Sequence, residues 1–278
     1  MGYKEIPEKI STIINSIKRA IRHISTNHLK FQRYAGLVSI VSIAFLILSI
    51  FGVFNINWYL AFFMYFMYWC VGVSISYHRY LSHRSFEFRN KFFEYFCLFF
   101  GVIAGQGDPL RWAAVHRHHH LHSDTEEDPH GPHKGWISYF LSDAYGDINL
   151  ILKDRRVKSK LNLFLFKYYF LCLIAWWLLL FILGGWWLVL NISIVPIGMY
   201  LIGVNATVQI THKYGYKNFD VKDEARHTWW VNLFSFGEGW HKNHHARPRR
   251  YTFQEKWWEF DLGGFFIKHL LMKPKATR

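Results

Sequence analysis

The sequence is poor in charge and in cysteine. Only 19% of its 278 residues are charged, whereas 51% are hydrophobic and 20% are aromatic. A chain with so much apolar and aromatic material is not intrinsically disordered. The cysteines are odd in number and all lie in apolar stretches, which excludes a disulfide scaffold; they are Cys70, Cys97 and Cys172.

Motifs for organic and iron–sulfur cofactors are also missing. The chain has no haem-attachment motif, no glycine fingerprint for a flavin or nicotinamide, and no cysteine cluster for an iron–sulfur centre. Electrons for any redox reaction would therefore have to come from another protein.

Charge is absent from four long apolar stretches, which are residues 35–54, 57–77, 168–184 and 186–205. Each is long enough for a helix to cross the roughly 30 Å hydrocarbon core of a bilayer. Trp and Tyr near the ends of the stretches suit the two membrane interfaces. Buried helices of a soluble protein are the other interpretation, but so short a chain has too little polar surface to cover them. The sequence therefore predicts four transmembrane helices.

The four stretches form two predicted hairpins, 35–77 and 168–205, because only short uncharged turns separate their members. The net charge of +14 comes from the remaining segments. The positive-inside rule then places both termini and the long middle segment in the cytoplasm. The basic excess indicates membrane topology and contact with anionic lipid headgroups, rather than a nucleic-acid partner.

The charged segments form the predicted cytosolic part of the protein. Residues 1–34 have isoleucines at helical spacing and are predicted to be an N-terminal amphipathic segment. Residues 78–167 and 206–278 are predicted to form a helical cap. Within the cap, the apolar run 91–105 is too short to span and indicates an interfacial helix.

Histidine is unusually abundant, with 17 residues, and three groups have regular spacing. The groups are His78 with His83, then His116, His119 and His120, then His241, His244 and His245; His212 follows the last apolar stretch. Residues at i, i+3 and i+4 share one helix face, where neutral imidazoles can bind a metal. An unbroken α-helix would splay the first pair, so we predict that a helix break separates its two members.

The chemistry of the predicted metal site follows from its donors. All-histidine sites suit iron, copper, zinc or nickel, and structural zinc sites usually include cysteine. Eight histidines in paired groups without cysteine favour a dinuclear site, for which iron is the natural choice in dioxygen chemistry. The other histidines are interpreted as solvated surface residues; they are His23, His28, His118, His122, His130, His133, His227 and His269.

Three histidine boxes in this order, around this membrane layout, resemble the integral-membrane fatty acid desaturases of the Δ9 type, the subgroup that includes stearoyl-CoA desaturase. The matching segments are HRYLSHRSF (78–86), HRHHHLHSDTEEDPH (116–130), THKYGY (211–216) and GEGWHKNHH (237–245), within a resemblance over about residues 35–260. The resemblance implies an all-α membrane protein, with four transmembrane helices in two hairpins under a cytosolic cap. It also implies a diiron centre with nine ligands, His78, His83, His116, His119, His120, His212, His241, His244 and His245.

The implied activity is a desaturase reaction. With O2 and two external electrons, the enzyme would introduce a cis double bond, of Δ9 type, into a saturated acyl-CoA or acyl-lipid. The implied donor is a ferredoxin, or a b-type cytochrome with its reductase, docked on a basic surface such as 247–250. A related diiron hydroxylase, ketolase or decarboxylase is the first alternative. A non-enzymatic histidine-rich metal transporter or sensor is the second.

The chain departs from the family pattern at two places. Val208 stands where the family usually has an Asn that holds an iron-bound water, so Asn205 or Gln209 would have to supply the amide. Ala114 and Val115 stand where the animal acyl-CoA enzymes have a charged pair that contacts CoA. The second departure weakens the case for a CoA thioester and leaves acyl-lipid or acyl-carrier substrates open.

Further site residues are predicted around the metal centre. Asp124 and Asp128 are expected to orient ligand histidines. The candidates for an apolar substrate tunnel are Trp112, Phe62, Phe66 and Tyr77. No catalytic acid, base or nucleophile beyond the metal ligands is expected, because removing hydrogen from a methylene group requires a metal–oxygen oxidant.

Overall fold

The computed structural model describes residues 5–135, 151, 153–154 and 157–274, with the backbone alone for 5–10, 12 and 13. Within these residues all regular structure is helical, and β-pairing is confined to isolated bridges such as that between Phe88 and Met272. The prediction of an all-helical protein is thereby confirmed. The predicted first part of the cap, 78–167, lies partly outside the described residues.

Helix α1 (Glu5–Thr26) and helix α2 (His28–Ile50) meet at Asn27. The Asn27 side chain accepts a hydrogen bond from the Lys30 N–H and caps α2. Helix α2 is the first of three described helices that are long and apolar enough to cross a membrane. It begins seven residues before the stretch predicted at 35–54, because the Asn27 cap and not the edge of the uncharged stretch sets its first residue.

The second membrane-length helix runs over Trp58–Ser82. Its first part is helix α3 (Trp58–Phe66), and the rest, Met67–Ser82, is π-helical. Residues five apart are hydrogen-bonded in a π-helix, and the His83 N–H donates to the His78 carbonyl oxygen at 3.1 Å. The predicted break between these two histidines is therefore wrong: the wider π turns bring both to the same end of a continuous helix.

The third membrane-length helix, Lys160–Thr211, is 52 residues long. It comprises helix α6 (Lys160–Leu188), a π-helical turn and helix α7 (Val195–Thr211). Gly184 and Gly185 depart from helical geometry within α6, and Gly185 has a φ of 61° in the left-handed region that favours glycine. The departure lies at the turn predicted between the third and fourth apolar stretches.

Shorter helices form the rest of the described chain. They are α4 (Lys91–Ile103), α5 (Pro109–His122), α8 (Trp229–Ser235), α9 (His241–Ala246) and α10 (Leu262–Phe266), the last continued by a π-helical turn. Helix α4 occupies the predicted interfacial segment 91–105. Leu98 is buried on its inner side, whereas Phe92 and Phe99 are exposed on the outer side; the position of this helix at a membrane interface stays a prediction.

A close helix contact joins α4 to the π-helical segment. A Cβ built on Gly72 would lie 2.5 Å from the backbone nitrogen of Gly101, and one built on Gly101 would meet the Tyr77 ring. The two backbones therefore touch only because both positions are glycine. This contact places α4 against the part of the membrane helix that leads to His78.

We predict that Gly72→Ala destabilises the protein by about 1–3 kcal/mol, because the added methyl group meets backbone that cannot rotate away. The measurement is thermal unfolding of the purified protein in detergent micelles. Gly184→Ala is the matched control, since its methyl group would meet side-chain atoms of Leu188, which can change rotamer, and no backbone atom. Equal melting temperatures for Gly72→Ala and the unmodified protein would contradict a close contact at this position.

Candidate metal centre

Helix α5 presents the second histidine box. The Asp108 side chain accepts hydrogen bonds from the Leu110 and Arg111 N–H groups, and Pro109 occupies the first helical turn. The helix thus begins at a defined residue, which sets the direction of the histidines two turns later. His116, His119 and His120 project inward, and His118 instead lies near the Glu127 carbonyl oxygen.

The other boxes reach the same place from three directions. His78 and His83 lie at the end of the π-helical segment, and His212 directly follows the last residue of α7. Short helix α9 supplies the third box from the C-terminal part of the chain. Segments distant in sequence therefore converge where two membrane-length helices end.

The nine predicted ligands form two groups of five and four. The first group contains His78, His83, His116, His120 and His244, and the second contains His119, His212, His241 and His245. One candidate ligand atom from each member lies within 4.8 Å of those of the other members. The structure therefore brings all nine predicted histidines together.

Each H-x-x-H-H helix is divided between the two groups. His116 and His120, at i and i+4, belong to the first group, and His119 between them belongs to the second. Helix α9 does the reverse: His241 and His245 belong to the second group and His244 to the first. Two contributions of this kind, divided in opposite ways, build both candidate sites from one pair of helices.

The distances between ring nitrogens fit bound metal ions. The Nε2 atoms of His78 and His244 are 2.9 Å apart, and those of His212 and His241 are 3.0 Å apart. Two nitrogens about 2.1 Å from one ion and at right angles to each other are about 3.0 Å apart. The spacing within the groups is therefore what a shared ion of first-row size requires.

Hydrogen bonding alone does not satisfy these nitrogens. A neutral imidazole that donates its Nδ1 hydrogen presents a lone pair at Nε2. His212 and His245 each face a carboxylate through Nδ1, yet both direct Nε2 at the Nε2 of His241, which carries at most one hydrogen. The His119 Nε2 is buried without any partner among the described residues. A cation in each group would satisfy these lone pairs.

The electrostatics keep the imidazoles ready to bind metal. Burial, and secondarily the neighbouring histidines, lowers the pKa of His120 to about 3. The same causes hold the pKa well below the ordinary value at His83, His116, His119, His241, His244 and His245. At neutral pH these rings are therefore uncharged, which is the form that binds metal.

Carboxylates contact the ligand histidines from behind. Asp128 lies 2.9 Å from the His119 Nδ1, and Asp124 lies 2.9 Å from the His212 Nδ1. Sequence reasoning missed two more, Glu238 at 3.0 Å from the His78 Nδ1 and Asp223 at 3.3 Å from the His245 Nδ1. Glu238 precedes the third box by three residues, a spacing that could have indicated it. Asp223 has no such signal.

Glu238 also belongs to a buried ion network. Arg79 is fully buried; one of its nitrogens lies 3.2 Å from Glu238 Oε1, and the other donates to Asp261 at 3.0 Å. Burial would raise the pKa of Glu238, but His78 and Arg79 hold it below the ordinary value. The carboxylate behind His78 is therefore ionised and fixed in position.

Two of the histidines interpreted as surface residues lie inside the protein. His227 is 1% exposed and packs between Tyr216 and Trp240, and burial lowers its pKa to about 4. The ring of His130 stacks on His119 at 4.3 Å. The surface interpretation is wrong for both, because neighbouring rings cover them and spacing along the chain does not reveal such contacts.

The predicted tunnel residues divide into inner and outer positions. The Trp112 ring stacks on His116 at 5.0 Å, and Tyr77 is fully buried 6.0 Å from Trp112. Phe66 is partly buried and packs against Phe236. Phe62 is 55% exposed on the outer surface, a position against lipid rather than in the wall of an enclosed tunnel.

The two candidate amides lie on α7, upstream of His212. Both are buried, with Asn205 at 0% and Gln209 at 3% exposure. The Gln209 side-chain oxygen has no hydrogen-bond partner within the described part of the chain. A buried carbonyl oxygen without a partner is costly, so Gln209 retains a free acceptor close to the second histidine group.

The sequence of this chain is similar to those of known proteins. Residues 56–258 match the fatty acid desaturase family. The chain is 36% identical over 234 residues to an sn-1 stearoyl-lipid 9-desaturase of Anabaena variabilis, covering 80% of this chain and 84% of that protein. It is 34% identical over 224 residues to Delta-9 acyl-lipid desaturase 2 of Arabidopsis thaliana, covering 74% and 69%.

A third relative is the sn-2 palmitoyl-lipid 9-desaturase of Nostoc sp. (strain 36), which is 34% identical over 209 residues and is covered to 73% of its length. Both the extent and the degree of these similarities are sufficient to show the family. The chain is therefore a member of the fatty acid desaturase family and an oxidoreductase.

Proposed function

We propose that the protein is a membrane-bound desaturase that introduces a cis Δ9 double bond into the acyl chain of a membrane lipid. The observation that carries this proposal is the pair of converging histidine groups in a chain whose relatives are named lipid 9-desaturases. Ala114 and Val115 also lack the charge that would favour a CoA thioester. The reaction consumes O2, two electrons and two protons, and it releases two waters.

Iron is the proposed metal, with the groups of five and four histidines as the ligands of two ions. When bound, the two ions would supply O2 activation and the oxidising power to remove two hydrogens. The chain's own residues hold the ligands in place, because the four carboxylates behind them fix ring orientation and tautomer. A histidine-rich metal transporter, the non-enzymatic alternative, does not fit a member of an enzyme family.

The proposed topology has four membrane crossings in two hairpins. A straight helix of 52 residues would be about 78 Å long, more than twice the roughly 30 Å hydrocarbon core. A turn at Gly184–Gly185 would divide Lys160–Thr211 into two crossings of ordinary length. His83 and His212 would then both lie at one membrane surface, and the basic segments assign that surface to the cytoplasm.

The proposed substrate site lies beside the first histidine group. Trp112 packs against His78 of this group and against Tyr77. Phe66 lies on the same membrane-length helix as Tyr77, nearer to its start, and packs against Phe236. These aromatic walls would hold an acyl chain in a dry channel and keep water from the metal centre. Phe62 is left out of this channel because of its exposure.

The proposed electron donor is an acidic ferredoxin or b-type cytochrome. Arg247 and Arg249 are exposed and follow α9 directly, so a partner bound there would be close to the ligands on that helix. Glu255 neutralises part of the patch through Arg247 and Arg250. The remaining positive charge suits an acidic docking surface.

The first prediction concerns product and metal together. In a host without Δ9 desaturase, the protein should generate fatty acids with a new cis double bond, located by gas chromatography and mass spectrometry. His119→Ala should abolish this product and lower the iron content of the purified protein. His118→Ala, one residue away but directed at Glu127, should retain both.

An oxygenated or shortened product would favour the hydroxylase, ketolase or decarboxylase alternative. If a protein with full iron content produces no modified lipid of any class, the desaturase proposal is contradicted.

The second prediction concerns the carboxylate behind His119. Asp128→Asn keeps the shape of the side chain but removes its charge, so iron affinity should fall by about 10–100-fold. The measurement is competition of the purified protein against a metal chelator. The control is Glu126→Gln, which changes an exposed acid in the same loop. Equal affinities for the two variants would contradict an orienting role for Asp128.

The third prediction concerns the amide that replaces the family's usual Asn. We propose Gln209, because its buried oxygen has no partner among the described residues and it is the candidate amide nearer to His212 on α7. Gln209→Leu should lower the turnover number and leave iron content unchanged, whereas Asn205→Leu should alter stability more than turnover. A normal turnover number for a folded, iron-loaded Gln209→Leu protein would show that Gln209 does not supply this amide.

A further inference from the structure

Helix α8 exposes an apolar side to its surroundings. Trp229, Trp230, Leu233 and Phe234 are between 44% and 66% exposed, whereas Val231 is buried. Trp257, Trp258 and Phe260, from a segment distant in sequence, are also more than half exposed. We call these seven residues the aromatic face. Contiguous apolar surface of this kind indicates a binding surface or a membrane contact.

The position of α8 identifies the membrane as its neighbour. The Tyr65 hydroxyl donates a hydrogen bond to the Phe234 carbonyl oxygen at 2.9 Å. Tyr65 lies seven residues from the start of the Trp58–Ser82 membrane-length helix. A segment bonded to such a helix lies alongside it, so the bilayer is the neighbour that the exposed apolar side of α8 fits best.

A cleft of about 480 Å³ opens between the two parts of the aromatic face. Its walls include Trp229, Leu233, Phe236, Trp240, Trp258 and Phe260. The Asn232 and Trp240 side chains both donate to the Phe260 carbonyl oxygen at 2.9 Å and hold the walls together. The volume and the apolar lining are those of a small-molecule site.

The rim of the cleft carries positive charge. The Lys256 ammonium lies 5.2 Å from the centre of the Trp258 ring, which lines the cleft. A cation beside an apolar cleft that opens toward lipid matches an amphiphile with a phosphate headgroup and hydrocarbon chains.

Two residues of the cleft lining connect it to the elements that carry the candidate metal ligands. Trp240 directly precedes His241 in the chain. On the other side, the Phe236 ring packs against Phe66 at 5.2 Å and Trp69 at 6.2 Å, on the helix that leads to His78. Phe236 has a φ of 58°, a left-handed conformation that is uncommon for a bulky residue and occurs at functional positions.

We propose that this cleft binds an acyl chain of a bilayer phospholipid, which enters sideways from the membrane. Phe236 forms the wall between the cleft and the aromatic residues near the metal centre. The site deepens the proposed function, on which it rests, because it explains how a chain still attached to a membrane lipid is presented without CoA.

The test is photo-crosslinking of the full chain in vesicles that contain a phosphatidylglycerol with a diazirine at the end of one acyl chain. Mass spectrometry of the peptides should find label in 229–236 and 257–262, as well as in the membrane-length helices. Leu233→Trp, which fills the cleft, should reduce label in these two segments by about tenfold or more. Leu270→Trp, an equal change at an exposed leucine outside the cleft lining, should leave it unchanged.

Label confined to the membrane-length helices of the unmodified protein would overturn the proposal, whatever the variants do. Label in the cleft from a diazirine acyl-CoA added in water, but not from the vesicle lipid, would also overturn it. The labelling needs no turnover and is therefore independent of the proposed activity. If double bonds form but the cleft is not labelled, only the proposal about the cleft is refuted. If the cleft is labelled but no double bonds form, only the proposed activity is refuted.

Discussion

The Arg79 guanidinium carries a full positive charge in the interior of the protein, and two carboxylates from the C-terminal part of the chain neutralise it. Glu238 and Asp261 supply the two carboxylates, and the Phe253 ring lies 3.7 Å from the guanidinium carbon. Removing one partner of such a buried pair costs about 3–5 kcal/mol. The charge therefore ties the C-terminal part of the chain to the second membrane-length helix. Because Glu238 also contacts His78, the same interaction orients a proposed metal ligand.

Much of this site is encoded locally and could be predicted from the sequence. The i, i+3, i+4 spacing of His116, His119 and His120 requires only a regular helix, which the Asp108 cap secures. The apolar stretches likewise predict membrane helices, because length and absence of charge are sufficient. The carboxylates near α5, which include Asp124, could also be predicted, because they follow the second histidine box within a few residues.

Other features depend on contacts between distant segments and could not be predicted. The π-helical winding that brings His78 and His83 together does not follow from the spacing of residues, and the close contact of Gly72 with α4 joins separate segments. Asp223 contacts His245 from 22 residues earlier in the chain, and His227 is buried between Tyr216 and Trp240. A one-dimensional pattern shows which residues share a helix face, but not which faces meet.

The division of each H-x-x-H-H helix between two groups has a consequence for how the centre is filled. An ion bound by the first group would fix α5 through His116 and His120 and α9 through His244. Those same helices carry His119 and His241 of the second group. Binding of the first ion would therefore include the entropy cost of ordering the ligands of both sites. The second ion would meet ligands that are already aligned. Such a centre should load cooperatively, so that chains with one ion remain scarce beside empty and fully loaded ones.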